Sequence, residues 1–131
     1  MIHQLTDLSG ADGAANGRIR REGTRNLVEA AKAAGIGRIV AQSISWAYAP
    51  GEGPAEEVVS LDSTAAQPRA RMVAAVRALE ETATELETAV WLRYGLLYGL
   101  GTWYAPGTHR AAPSQRPWRA TRRRASWGAP W

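Results

Sequence analysis

Apolar residues along this chain alternate between short continuous runs and longer stripes spaced by three and four. The stretch Arg38–Gly51 opens as the β-branched run Ile39-Val40, turns polar at Ser43 and Ser45, and breaks at Pro50-Gly51 before Glu52, Glu56 and Glu57. Such a run reads as a strand buried between layers, predicted over Ile39–Ser43. Ahead of it, Ile19, Gly23, Leu27, Ala30, Ala31 and Ala34 form one helical stripe, predicting a helix from about Asn16 to Ala34. Gly35 is placed as its left-handed terminator, and Arg25–Glu29 and Glu29–Lys32 are expected to pair on its outer face. Trp46 to about Pro68 reads as a loop, long enough to predict a cover over a site or partial disorder. A second helix is predicted over about Ala70–Glu87, burying Met72, Val76, Leu79, Ala83 and Leu86. Ala89–Tyr94 then reads as a strand, and Met1–Leu5 as the end of another. Strand, helix, strand, helix, strand predicts an α/β fold with two right-handed crossovers: a partial Rossmann-like parallel sheet of about three strands with two long helices.

Ligands of open α/β sheets gather where the strands end, which makes Ser43 and Ser45 the first candidates for chemistry. Composition removes several alternatives. The absence of cysteine excludes disulfides and thiolate metal sites. His3 and His109 have no metal-ligand spacing, so no metal is expected. No apolar run approaches the length of a membrane span and no signal layout opens the chain, so a cytoplasmic protein without a membrane partner is expected.

The net charge of +4 is unevenly spread. Six of the sixteen basic residues and none of the twelve acidic ones fall in 105–131, which leaves ten against twelve, a net −2, for 1–104. The segment 105–131 is rich in Arg, Pro, Trp and Ala and has no periodicity. It is expected to be disordered, or the product of a shifted reading frame in a GC-rich gene. A nucleic-acid arm, with Arg122–Arg124 on phosphates and tryptophans stacked on bases, is the disfavoured third reading.

Four motifs, in order, carry a resemblance. Ile2-His3-Gln4-Leu5 resembles the V-I-H-L-A strand end of the extended short-chain dehydrogenases, the NAD-dependent epimerase/dehydratases. Arg21–Ala31 resembles that family's N-V-x-G-T-x-N-L-L-E-A-A helix, Arg38–Tyr48 its R-x-V-x-x-S-S-x-x-V-Y segment, and Leu92–Gly99 its L-R-x-x-x-V-Y-G-P-G. The resemblance covers residues 1–104. It implies a partial NAD(P)-binding domain and redox chemistry on a small polar metabolite or nucleotide sugar. By position it assigns Gln4, Leu5, Thr6, Ser43, Tyr94, Gly95 and Leu96 to an NAD or NADP cofactor, and Ser43 or Ser45 to catalysis. His3 is expected to be a packed strand-end residue.

Three departures qualify the resemblance. The family's G-x-x-G-x-x-G loop, which lets backbone amides approach a pyrophosphate, is not in this sequence. Gly35-Ile36-Gly37 precedes a strand and cannot replace it. The chain is therefore expected to begin at the fourth strand, about 60 residues into such a domain at about 30 residues per unit. The Y-x-x-x-K pair is missing too: counting back from Glu80 puts Met72 and Val76 in those places, and neither transfers a proton. The expected catalytic Ser/Thr position falls on Ile44, flanked by Ser43 and Ser45. The reading that follows is an incomplete NAD(P)-dependent oxidoreductase, with a non-catalytic nucleotide-binding relative as runner-up. An unpaired Ile2–Leu5 edge predicts self-association.

Overall fold

The computed structural model describes residues 1–6 and 12–95. The segment 105–131 and the domain limit at residue 104 lie outside the described residues. Three strands, β1 (Ile2–His3), β2 (Arg38–Ile44) and β3 (Thr88–Tyr94), make one sheet in the order β1-β2-β3. Both pairings are parallel, with His3 opposite Ala41 and Ile44 opposite Tyr94. The predicted α/β fold with a three-stranded parallel sheet is therefore what the chain forms. Since all three strands run the same way, their carboxyl ends share one edge.

The first helical segment starts earlier than its apolar stripe suggests. Asp12 caps it, its Oδ1 accepting the Ala14 N–H at 2.8 Å. Helix α1 (Gly13–Arg18) runs through one π-helical turn (Ile19–Gly23) into α2 (Thr24–Ala33). Gly35 ends it at φ +69°, with the Ile36 N–H on Ala31 C=O and the Gly35 N–H on Lys32 C=O. These bonds satisfy carbonyls that the helix end leaves free. The buried line is Thr24, Val28 and Ala31, of which the predicted stripe held Ala31 alone: Ile19, Gly23 and Leu27 are half-buried, and Ala30 and Ala34 are exposed. The seam is rotated because Thr24 is held to His3 of β1 and Val28 sits in the core. The expected pairs within the helix also give way. Arg25 and Lys32 both reach Glu85, at 2.5 and 2.6 Å, across to the turn after the next helix.

Helix α3 (Arg69–Ala83) stops before the predicted Glu87, and Val76, Leu79, Ala83 and Leu86 are buried as predicted. Met72 is half-buried and packs against Ile44, Ala47, Val73 and Val76. The other core cluster joins Val28 and Ala31 to Ile39 and Ala41 of the central strand and to Leu79, Ala83 and Leu86. Both helices thus cover one face of the sheet. On the other face Ile2, Val40 and Val90 form a row in register across the three strands. Ile2 is 72 % exposed and Val90 43 %. Among the described residues no helix is long and apolar enough to cross a membrane.

Candidate functional site at the carboxyl edge of the sheet

The register of β2 and β3 sets Ser43 beside Arg93. Side chains at paired positions of parallel strands leave the sheet on the same face, here the face covered by α3. Both meet Glu80 of that helix. Ser43 Oγ donates to Glu80 Oε1 at 2.7 Å, and Arg93 Nε and Nη2 donate to Oε1 and Oε2 at 2.9 and 2.7 Å. A two-pronged guanidinium–carboxylate bond is the strong form of this interaction. The Glu80 hydrogen bonds hold the Arg93 pKa above the ordinary arginine range, against the opposing effect of burial. The guanidinium also lies over the Tyr48 ring, 4.7 Å from its centroid, and donates to Val59 C=O at 3.1 Å. Ser43 is 3 % exposed and committed to this network.

Arg93 thereby fastens one side of the segment between Ser45 and Pro68, and Arg69 fastens the other. Arg69 donates to Asp62 Oδ2 at 3.1 Å, to Tyr48 C=O at 2.9 Å and to Trp46 C=O. Asp62 Oδ1 accepts the N–H and Oγ1 of Thr64. Burial pushes the Asp62 carboxyl up, but the Arg69 and Thr64 bonds outweigh it and hold the group below its usual range. Backbone bonds from Ala49 to Ser60 and from Asp62 to Ala47 close the segment on itself. The predicted loop is thus a braced excursion.

Ser45 opens the 3₁₀ turn Ser45–Ala47 directly after β2 and is half-buried. Its Oγ is 3.8 Å from where a Cβ on Gly95 would stand, an ordinary contact distance. Of the residues singled out in the sequence, Ser45 and Gly95 are therefore neighbours, whereas Ser43 turns to the helix layer. Tyr94 is half-buried at the end of β3, and Leu96 lies outside the described residues. Gln4 and Leu5 are exposed beyond β1, and Thr6 is half-buried.

Beyond β1 the sheet meets the first helical segment through polar side chains. The Leu5 N–H donates to His3 Nδ1 at 3.3 Å, so Nε2 carries the ring proton and donates to Thr24 Oγ1 at 2.7 Å. Burial holds the His3 pKa below the ordinary histidine value. His3 is thus a packed, neutral strand-end residue, as expected. Thr6 Oγ1 donates to Asn16 Oδ1 at 2.9 Å. Thr24 and Asn16 are both polar, eight residues apart, and sequence reading passed over them. The signal available was a three- and four-spaced line that is apolar at Ala31 and Val28 and turns polar at Thr24, Arg20 and Asn16.

The edge fits a dinucleotide only in part. Gly95, without a side chain, stands beside Ser45 at the strand ends. Gly35-Ile36-Gly37 sits at the amino end of β2, the wrong end for a pyrophosphate. Two hollows, of about 520 and 640 Å³, lie between the first helical segment and α3 and along β3, the second reaching the carboxyl edge at Tyr48, Arg93 and Tyr94. Among the described residues no cluster of three or more His, Asp or Glu could hold a metal ion.

No family model and no solved structure matches the chain. It is 45 % identical over 115 residues to the 3-diazoavenalumate denitrifying reductase of a Streptomyces species, a match covering 80 % of this chain and 38 % of that protein. The chain thus spans well under half the length of the curated relative it resembles.

Proposed function

We propose that this chain is part of an NAD(P)-dependent oxidoreductase of the extended short-chain dehydrogenase type, acting on a small polar molecule at the carboxyl edge of its sheet. The observation that carries the reading is the 45 % identity to a protein named a reductase. Three parallel strands ending at one edge, with Ser45 against Gly95, support it. Gln4, Leu5, Thr6, Tyr94 and Gly95 would border the cofactor, and Ser45 the substrate. Ser43 would act through Glu80 as a positioning residue. When bound, the reduced dinucleotide supplies a hydride.

A narrower reading follows from Met72 and Val76. Reduction of a carbonyl leaves an alkoxide that needs a proton, and neither side chain can give one. A carbon bearing a diazo group, as the relative's name implies for its own substrate, carries its own leaving group. Its reduction by a bound dinucleotide would form the C–H bond with the hydride's electron pair and release N₂ with the C–N pair, so no residue of this chain would need to move a proton. Incubation with C4-deuterated NADPH and a diazo-bearing aryl carboxylate tests this. Deuterium on the product carbon with one N₂ released per NADPH consumed is expected. Product formed without dinucleotide, or without label, would refute the reading.

A further inference from the structure

We propose that Arg20 is an oxyanion-binding residue aimed over the carboxyl edge of the sheet, holding a phosphate or carboxylate group of a molecule bound there. The sheet-facing line of the first helical segment runs Ala31, Val28, Thr24 and, one turn further on, Arg20 and Asn16. Ala31 and Val28 pack in the core. Thr24 is bonded to His3, the last residue of β1, and Asn16 to Thr6, three residues beyond it. Arg20 lies between these two anchors, four residues from each. Both anchors touch the chain at or past the end of the strand, so the arginine on the same line projects where the sheet has stopped.

The segment's one π-helical turn, Ile19–Gly23, contains Arg20. Such a turn holds one extra residue and often marks a functional position within a helix. It keeps residues 16, 20 and 24 close to one face where an uninterrupted α-helix would drift further.

The guanidinium is half-buried, and burial lowers its pKa below the ordinary arginine value. Among the described residues no carboxylate pairs with it, whereas Arg25, Arg69 and Arg93 each have one. A planar fork of donors, partly removed from water and carried on the helix between Asn16 and Thr24, suits the oxygens of a phosphate or carboxylate.

This inference takes the carboxyl edge as the binding site and otherwise stands apart from the redox reading. Titration of the 131-residue chain by calorimetry with NADPH, cinnamate and inorganic phosphate tests it. Arg20→Gln is expected to weaken at least one of the three by tenfold or more, Arg20→Lys by less, and the exposed Arg77→Gln not at all. Loss confined to NADPH and phosphate assigns the anion to a cofactor; loss confined to cinnamate assigns it to a substrate. Removal of a half-buried charge that pairs with no carboxylate among the described residues is also expected to leave the melting temperature unchanged or raised. Wild-type chain that binds none of the probes, or Arg20→Gln that melts lower while binding all three as wild type does, would overturn the proposal. Cinnamate binding that depends on Arg20 without NADPH binding would sink the redox reading and keep the anion site. NADPH binding indifferent to Arg20, with no cinnamate binding, would do the reverse.

Discussion

Glu80 is the residue on which the described part of the site turns, because donors from two strands converge on its two oxygens and tie both strands to α3. Its carboxylate is nearly out of water, and so is most of the Arg93 side chain. Removing one partner strands the other, which for buried pairs costs about 3–5 kcal/mol. Arg93→Met is therefore expected to lower the unfolding free energy by that much, read as a lower urea midpoint at unchanged slope. The double variant Glu80→Leu with Arg93→Met should recover most of the loss, since replacing both charges removes the desolvation penalty. Ser43→Ala deletes one neutral donor from a carboxylate still held by Arg93, so a loss of about 1 kcal/mol is expected. A drop as large as that of Arg93→Met would show that Ser43, not the ion pair, carries the network.

At the scale of elements, β1 and the braced segment are the two pieces held by polar contacts, and both respond to pH. His3 is neutral in the fold, with its pKa lowered by burial, so the unfolded chain binds a proton more readily. Its contribution to stability is complete above the unfolded value of about 6.5 and is lost as pH falls through the lower folded value. Melting followed between neutral and mildly acidic pH should show this decline, and His3→Asn should flatten it. An unchanged slope in His3→Asn would place the titration elsewhere. Asp62 and Glu85 have lowered pKa values from their cation partners, so what they contribute is present above the ordinary carboxylate range and fails only in stronger acid. Arg69→Ala frees Trp46 and Tyr48 carbonyls and leaves Asp62 without its cation. Faster proteolytic cleavage between Gly51 and Val58 is the expected result, with the helices still intact by circular dichroism.

At the scale of the whole molecule, the described residues form two layers where a doubly wound sheet has three. The row Ile2, Val40, Val90 and the edge of β1 present apolar and hydrogen-bonding surface together, a template for association. The chain is expected to self-associate in sedimentation velocity at neutral pH. Ile2→Glu, which charges the most exposed of these side chains, should shift it toward monomer. A monodisperse wild-type monomer would contradict the expectation. The same geometry bears on cofactor affinity: among the described residues no glycine loop stands between a strand and a helix. NADPH is accordingly expected to bind this chain weakly.

Alternation of apolar runs and stripes determined the α/β class, the three parallel strands and the αL stop at Gly35, because those depend on local periodicity and backbone freedom. The His3 packing and the burial of Leu79 and Ala83 were legible for the same reason. Which line of the first helix faces the sheet was not legible, since Leu27 and Val28 are equally apolar and only contact with His3 and Ile39 separates them. Nor was the partner of a charge: Arg25 and Lys32 sit one turn from Glu29, yet the fold brings Glu85 between them. Ser43 and Ser45 look alike in sequence, two residues apart. Tertiary structure alone gave the first to Glu80 and the second to Gly95, because register and crossover, not spacing, decide what lies across from a strand end.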